Sequence, residues 1–297
     1  MLIPQHCTLC PRRCGADRTQ ARGVCGADGQ LTAARAALHF WEEPCISGEK
    51  GSGTVFFTGC SLGCCYCQNY KISQNGLGKV ISVHRLAQIF LEIQQKGAAN
   101  LNLVTGTQWV PWIIAALDEA RQEGFSLPVV WNTSGYETVE TLRSLEGYVD
   151  IWLSDVKYVS PELSAEYSRA PDYFEVCQKA VAEMLRQTGS PVMGEDGYLK
   201  KGVILRHLAL PGSLKDSLAV LDYMASLPKG SFIPSLMSQY TPFYKASEHK
   251  ALSRRISTWE YRQVIDRAVD LGFTEGYMQQ KSSAKEEYTP PFDLEGI

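Results

Sequence analysis

The stretch that decides the fold is Cys60-Ser-Leu-Gly-Cys64-Cys65-Tyr66-Cys67, which follows the apolar run of residues 54–58. Three of its cysteines are spaced C-x3-C-x2-C and can direct their thiols at one small volume. A closed structural zinc site takes four ligands, and so does an ordinary 4Fe–4S cluster. Three thiols on one loop therefore predict a cluster with one iron left open to bind another molecule.

Composition excludes several classes of protein. The 297 residues are 44% hydrophobic and 21% charged, as in ordinary globular domains, and the formal net charge is −3. The chain has no basic footprint for nucleic acid and no apolar run near the ~20 residues of a membrane span. Its first residues lack the basic and apolar regions of a signal peptide. We expect a cytoplasmic protein that binds neither nucleic acid nor membrane.

Cysteine usage points to metal. The chain has 10 cysteines, and most fall in two tight clusters. Without a signal peptide, such clusters more often bind metal than form disulfides. The second cluster, Cys7-x2-Cys10-x3-Cys14 with Cys25, supplies four thiolates. That number satisfies either a closed zinc site or a second iron–sulfur cluster, so we expect one of the two there.

From residue 54 onward, short apolar runs alternate with helical periodicity. We predict strands at 54–58, 100–104, 127–131, 148–153, 202–208 and 231–236. Helices are predicted at 84–96, 111–123, 138–145 and 172–187, with two more after Ser213 and after a Ser257/Glu260 capping box. Such alternation is typical of a parallel sheet, and neither a G-x-G-x-x-G nor a G-x4-G-K-[ST] motif is present.

The expected fold is therefore α/β: a partial (β/α)6 TIM-like barrel with a small Cys-rich N-terminal extension. We divide the chain into a metal-binding extension at 1–50, a barrel core at 51–280 and a C-terminal tail at 281–297. The first unit has little periodicity, and the tail is polar and contains prolines. We expect the tail to be loose or wrapped on the surface.

Polar residues follow every predicted strand, where barrel enzymes place their active sites. Any one of them suits a helix cap or a turn, but their coincidence at six strand ends predicts a common site. After the first strand comes the cysteine loop, and the other strand ends carry Thr105-Gly-Thr-Gln108, Asn132-Thr-Ser-Gly135, Ser154-Asp155-Val-Lys157, Arg206-His207 and Gln239-Tyr240.

The C-x3-C-x2-C motif, with an aromatic residue before its last cysteine and a six-unit βα chain after it, resembles the radical S-adenosylmethionine (SAM) superfamily. Further stretches are similar to the branch related to pyruvate formate-lyase-activating enzyme. They are Ile46-Ser-Gly, Gly59-Cys60, Tyr66-Cys67-Gln-Asn69, Asn132-Thr-Ser-Gly-Tyr136, Asp155-Val-Lys157 and Arg206-His-Leu-Ala-Leu-Pro-Gly212. The resemblance extends over nearly the whole chain.

The resemblance implies an oxidoreductase in which Cys60, Cys64 and Cys67 hold a 4Fe–4S cluster. The fourth iron is chelated by the amino and carboxylate groups of SAM. Reductive cleavage then gives methionine and a 5′-deoxyadenosyl radical that abstracts hydrogen. The electron donor is a protein such as flavodoxin or ferredoxin.

The branch implies that the radical activates a glycyl radical partner protein. Two alternatives stay open at this point. One is a radical SAM enzyme that acts on a small molecule. The other is a non-catalytic iron–sulfur or zinc protein in electron transfer or assembly.

The resemblance also implies SAM contacts at the strand ends. Relatives carry Gly-Gly-Glu for the SAM amino group where this chain has Thr105-Gly106-Thr107, without an acid. A hydroxyl or backbone carbonyl would serve there instead. Arg206 suits a carboxylate, or it reaches solvent. The other expected cofactor-binding residues are Tyr66, Asn132, Ser134, Asp155 and Lys157, the last two being a surface ion pair in the alternative interpretation. Cys65 is expected to be a bystander.

Overall fold

The computed structural model describes residues 2–279 and 290–297 of the chain. Its strands are β1 (Thr32–His39), β2 (Ser52–Phe57), β3 (Lys79–Val80), β4 (Leu101–Val104), β5 (Val129–Thr133), β6 (Ile151–Asp155), β7 (Val192–Met193), β8 (Leu199–Leu208), β9 (Ile233–Met237) and β10 (Tyr277–Met278). Its α-helices are α1 (Tyr70–Ser73), α2 (Val83–Gln95), α3 (Val110–Gln122), α4 (Val139–Ser144), α5 (Pro161–Ser168), α6 (Tyr173–Thr188), α7 (Leu214–Ser226) and α8 (Thr258–Asp270).

These strands form one mixed sheet in the order β10-β9-β8-β6-β5-β4-β2-β1-β3, with β7 paired to β8. From β2 to β10 along this order the neighbours are parallel, whereas β1 is antiparallel to β2 and to β3. Among the described strands the path does not close into a ring. The expected partial TIM-like barrel is confirmed.

All six predicted strands are present, as β2, β4, β5, β6, β8 and β9. Every residue of β2 and of β4 is buried, which suits strands that are covered on both faces of a parallel sheet. The six predicted helices are also present, and the capping box of Ser257 and Glu260 opens α8. In the part of the chain that is described, no helix is long and apolar enough to cross a membrane.

The N-terminal segment, which has little sequence periodicity, nevertheless contains the strand β1. Its sequence, Thr-Ala-Ala-Arg-Ala-Ala-Leu-His, is rich in alanine, which is depleted in strands. It forms a strand because it pairs with β2, with Ala36 opposite Val55 and Ala37 opposite Thr54. The pairing crosses residue 50, so the N-terminal segment and the barrel share one sheet. The division of the chain into three units stays a prediction.

Part of the predicted tail, residues 281–289, lies outside the described residues. The last eight residues pack on β1: Ala36 N–H donates to the Glu295 carbonyl over 2.8 Å. The Arg35 guanidinium pairs with Asp293 and Glu295, and the Phe292 ring meets Phe56 edge-on at 5.5 Å. This end of the chain therefore lies against the sheet.

The loop between β1 and β2 fills the inside of the open barrel. Cys45 and Ile46 pack in a buried cluster with Val130, Ile151 and Ile204 of the parallel strands. Asn100 Nδ2 donates to the Ile46 carbonyl over 2.7 Å. Because the loop enters β2 at its first residue, it occupies the end of the barrel where the strands begin. The opposite end is left for a cavity.

Next to this apolar cluster, two carboxylates of the same loop contact the side chain of Arg206. Arg206 Nε donates to Glu43 Oε1 over 2.7 Å, and its Nη2 contacts both Glu42 and Glu43. Asn102 and Asn132 donate to Glu42 Oε1 over 3.1 and 3.0 Å. Burial opposes ionisation of Glu43, but the charge and hydrogen bonds of Arg206 outweigh it and lower the pKa of that carboxyl. The buried charges are stable because each has partners.

Replacement of Arg206 should show how strongly the buried carboxylates of Glu42 and Glu43 destabilise the fold when they have no cation. We expect Arg206→Met to lower the free energy of unfolding by about 3–5 kcal/mol near neutral pH, since two buried acids lose their cation. A carboxyl with a lowered pKa stabilises the fold above its ordinary pKa and loses that contribution as pH falls. The deficit of the variant should therefore shrink below pH 4.5, the ordinary value for Glu43.

The measurement is urea unfolding at neutral and acidic pH. Lys179→Met is the matched control, because Lys179 and its partner Glu175 are 63% and 73% exposed and such pairs contribute about 0.2–1 kcal/mol. A loss in Arg206→Met no larger than in this control would contradict the account.

Candidate active site

A cavity of about 420 Å³ opens at the ends of the strands. It gathers most of the predicted site residues: Cys60, Cys64, Tyr66, Cys67, Thr105, Asn132, Ser134, Asp155, Lys157 and Arg206 all line it. The parallel register explains this convergence, since Phe56, Val104 and Asn132 are neighbours across β2, β4 and β5. Gly106 and Thr107 are not among the residues that line it. The individual roles of these residues stay predictions.

The cysteine loop leaves β2 through Gly59, whose φ is +90°. A Cβ at this glycine would lie 2.7 Å from the Cys25 carbonyl oxygen, so no larger residue fits. The same carbonyl accepts the Cys60 N–H over 3.1 Å, and the Cys67 N–H donates to the Cys64 carbonyl over 3.3 Å. Backbone contacts thus fix the position of the thiols.

The chemistry of this donor set suits a cluster. Burial and the neighbouring Cys64 raise the pKa of Cys67 to about 11, and burial raises the pKa of Cys60 as well. These thiols need a cationic centre before they ionise. Within residues 2–279 and 290–297, no three His, Cys, Asp or Glu side chains converge on a single-ion site. A cubane has no need of that convergence, because each thiolate binds a different iron.

Cys65 is held by its backbone on the far side of the loop. Its N–H donates to the Tyr167 carbonyl and its carbonyl accepts the Lys245 N–H, both over 2.8 Å. Burial raises the pKa of this thiol to about 12. Cys65 is not among the residues that line the cavity, in keeping with the expected bystander role.

The four N-terminal cysteines are neighbours. The sulfurs of Cys14 and Cys25 each lie 3.5 Å from the point where Gly23 would carry a Cβ. Burial raises the pKa of Cys10 to about 12, with smaller contributions from Cys25, Cys7 and Cys14. This segment also touches the cluster loop, because Arg12 Nε donates to the Ser61 carbonyl over 2.9 Å. Metal binding by this set stays a prediction.

Asp155 and Lys157 form an ion pair at the end of β6. Their side chains are 23% and 17% exposed and line the cavity, so the alternative of an open surface pair is wrong. Burial favours neutral Lys157, but Asp155 outweighs it and raises the pKa of the ammonium. Tyr173, which the sequence did not single out, donates to the Ser134 carbonyl over 2.7 Å and accepts the Lys157 N–H over 3.0 Å.

Arg206 lines the cavity, but it does not reach solvent as in the second interpretation. The carboxylates that it binds in the structure belong to Glu42 and Glu43. Its neighbour His207 is buried, with Nδ1 2.8 Å from the Val156 carbonyl, and burial lowers its pKa to about 4. That geometry suits a histidine that packs in the core.

An acid does meet the loop after β4, although it comes from the next strand end. Glu137 Oε1 accepts from Thr107 Oγ1 over 3.1 Å and from the hydroxyl of Thr133. Its Oε2 is buried and has no hydrogen-bond partner among the described residues. Burial raises the pKa of this carboxyl to about 7. Glu137 directly follows the stretch that ends at Tyr136, but only the fold brings it to Thr107.

The raised pKa gives Glu137 a measurable effect on stability. An acid with a raised pKa destabilises the fold as pH rises from its ordinary 4.5 to about 7. Glu137→Gln does not ionise, so its stability relative to the wild type should increase by roughly 2–3 kcal/mol between about pH 5 and pH 8.

Urea unfolding at several pH values measures this difference. Glu140→Gln is the control, because Glu140 is 74% exposed on the following helix, and its difference from the wild type should stay flat. A flat profile for Glu137→Gln as well would show that the acid is not buried as described.

Comparisons with known proteins agree with this geometry. The sequence profile of the radical SAM superfamily matches residues 54–213, more than half of the chain. An uncharacterized protein of Methanocaldococcus jannaschii, MJ0674, is 29% identical over 273 residues, which cover 90% of this chain and 75% of that protein.

Two solved structures superpose on parts of this chain. A radical SAM methyltransferase from Sphaerobacter thermophilus superposes with a TM-score of 0.50 at 13% identity, covering 84% of this chain and 77% of its own. A domain of a pyruvate-formate lyase-activating enzyme from Bacteroides vulgatus gives a TM-score of 0.41 at 16% identity, covering 57% of this chain and 89% of its own. With its cysteine loop at the mouth of an open barrel and its match to the family profile, the chain belongs to the radical SAM superfamily.

Proposed function

We propose that this protein is an enzyme that reductively cleaves SAM at a 4Fe–4S cluster held by Cys60, Cys64 and Cys67. The observation that carries the proposal is the position of the C-x3-C-x2-C thiols at the edge of a cavity lined by polar strand ends. When bound, the cluster would supply one electron and an open iron to which the amino and carboxylate groups of SAM would bind. The product is a 5′-deoxyadenosyl radical for hydrogen abstraction.

The chain itself binds and orients SAM and keeps water from the radical. Tyr66 lies between the cysteines of the loop and packs against Tyr240, their ring centroids 5.9 Å apart. We assign it to the adenine side of the site. Asn132 and Ser134 lie at the end of β5, and Asp155 and Lys157 lie at the end of β6. These polar groups are suited to the ribose and to the charged end of SAM.

For the substrate, we propose a glycyl radical partner protein, on the strength of the stretches shared with the activating-enzyme branch. A small molecule is the second candidate. It is favoured by the charged inner wall of the cavity, where Glu42, Glu43 and Arg206 would meet a polar ligand better than a glycine backbone. We propose a flavodoxin or ferredoxin as reductant. A stable glycyl EPR signal on a co-encoded partner protein supports the first substrate, and its absence from every candidate partner supports the second.

Alanine variants of the four loop cysteines test which of them are ligands of the cluster. After anaerobic reconstitution, Cys60→Ala, Cys64→Ala and Cys67→Ala should each abolish formation of 5′-deoxyadenosine from SAM with dithionite, because each removes a ligand of the cluster. Cys65→Ala is the matched control and should retain it. Chromatographic detection of 5′-deoxyadenosine is the measurement. A fully loaded and reduced wild-type cluster that yields none would leave only a non-catalytic iron–sulfur protein.

We also propose that residues 1–50 form a metal-binding extension in which Cys7, Cys10, Cys14 and Cys25 hold zinc or a second iron–sulfur cluster. What supports this is the proximity of Cys7, Cys14 and Cys25 to Cys10 and the position of the Cys14 and Cys25 sulfurs beside Gly23. The Cys25 carbonyl also accepts the Cys60 N–H of the cluster loop.

Metal analysis in a variant without the first site isolates this one. The triple variant Cys60→Ala/Cys64→Ala/Cys67→Ala, purified without oxygen, should retain about one equivalent of zinc or a full cluster's iron and sulfide. Addition of Cys10→Ala should remove it, whereas addition of Cys45→Ala, outside both sets, should not. A triple variant that contains neither zinc nor iron would contradict this proposal.

A further inference from the structure

Each of the three proposed ligand thiols, Cys60, Cys64 and Cys67, has a hydrogen-bond partner of its own. Ser168 Oγ lies 3.0 Å from Cys64 Sγ, and Ser73 Oγ lies 3.3 Å from Cys67 Sγ. The backbone N–H of Leu62 donates to Cys60 Sγ over 3.4 Å. The contact of Ser168 is the shortest, and it joins the loop to a residue more than 100 positions away in the sequence.

The contact of Ser168 continues into a buried chain of hydroxyls. Ser168 Oγ is 2.9 Å from the Tyr158 hydroxyl, which is 2.5 Å from the Tyr66 hydroxyl. Ser168 and Tyr158 are almost fully buried, and Tyr66 is 8% exposed. These three hydroxyls therefore form a hydrogen-bond chain from the cavity wall at Tyr66 to the sulfur of Cys64. Because they are buried, they form few hydrogen bonds with water.

Once Cys64 binds iron, the number of available protons decides which group donates and which accepts in each hydrogen bond of this chain. A ligating thiolate can only accept a hydrogen bond, so Ser168 donates to it. The single proton of Ser168 is then used, so Tyr158 donates to Ser168, and by the same count Tyr66 donates to Tyr158. Both tyrosines carry their hydroxyl protons at neutral pH, since the ordinary pKa of tyrosine is about 10. The three protons point one way, toward the sulfur.

The position of Ser168 is rigid. It is the last residue of α5, and Arg169 after it has a left-handed backbone. Arg12 donates to the carbonyls of Ser168 and Arg169, and the Cys65 N–H donates to the Tyr167 carbonyl. Helix α5 is thus fixed to the cysteine loop on both sides of Ser168.

We propose that Tyr66, Tyr158 and Ser168 form a one-way hydrogen-bond chain that donates to the Cys64 thiolate and raises the reduction potential of the cluster. Hydrogen bonds to the sulfurs are one of the factors that set the potential of an iron–sulfur cluster. A donor stabilises the reduced, more negative state over the oxidised one. Ser168 acts directly, and Tyr158 is a positioning residue that acts through it. The inference rests on the proposed cluster at Cys60, Cys64 and Cys67.

The test is an anaerobic redox titration of the reconstituted full-length protein, followed by EPR. Ser168→Ala should shift the midpoint potential to more negative values. Tyr158→Phe should give a smaller shift in the same direction. The midpoint potential of the double variant should shift no further than that of Ser168→Ala alone, because Tyr158 acts on the sulfur through its hydrogen bond with Ser168. Ser164→Ala is the matched control, since Ser164 is buried on the same helix but donates to the Pro161 carbonyl over 3.1 Å.

The outcomes separate this inference from the proposed function. A wild-type protein that binds no cluster overturns both. A wild-type protein that binds the cluster and cleaves SAM, with a Ser168→Ala potential equal to that of Ser164→Ala, overturns the inference alone. Additive shifts in the double variant would also contradict it, since Tyr158 would then act independently. If Ser168→Ala fails to fold, the potential of Tyr158→Phe decides, and an unchanged value counts against the chain.

Discussion

The close contact between Gly59 and the Cys25 carbonyl is the constraint on which the site depends. At Gly59 the chain turns out of β2 with a φ of +90° and a Cys25 oxygen where a Cβ would stand. Only glycine adopts that conformation there without strain, and the same oxygen fixes the Cys60 N–H. The cysteine loop is therefore anchored on one side by the barrel and on the other by the second set of cysteines. These contacts fix the backbone at the start of the cysteine loop.

A second constraint is electrostatic. The open barrel encloses charges that would be costly without partners, and the fold pairs them in two layers. Glu42 and Glu43 meet Arg206 on the inner wall, and Asp155 meets Lys157 near the cysteines. Glu137 is the exception: among the described residues its hydrogen-bond donors are the hydroxyls of Thr107 and Thr133, and burial raises the pKa of its carboxyl to about 7. The result is a cavity lined by charged and polar groups that have partners within the chain.

The sequence was a good guide to the strands and to the rim, because apolar runs mark strands and the ends of parallel strands meet at one edge. It was a poor guide where contacts between distant parts of the chain determine the local structure or the neighbours of a side chain. The alanines of β1 form a strand only because β2 pairs with them. Glu137 reaches Thr107, and Ser168 reaches Cys64, only through the fold. Arg206 looked suited to a ligand, yet the carboxylates beside it come from a loop of the chain itself. Long-range contacts of this kind leave no periodic signal.

The central claim is that the fourth ligand of the cluster, absent from the loop, is SAM itself. The most direct measurement is electron–nuclear double resonance of the reduced cluster with SAM carrying ¹⁵N in its amino group and ¹⁷O in its carboxylate. The account predicts hyperfine coupling from both labels to a cluster ligated by Cys60, Cys64 and Cys67. A fully reduced cluster that shows no coupling to either label at saturating SAM would contradict it.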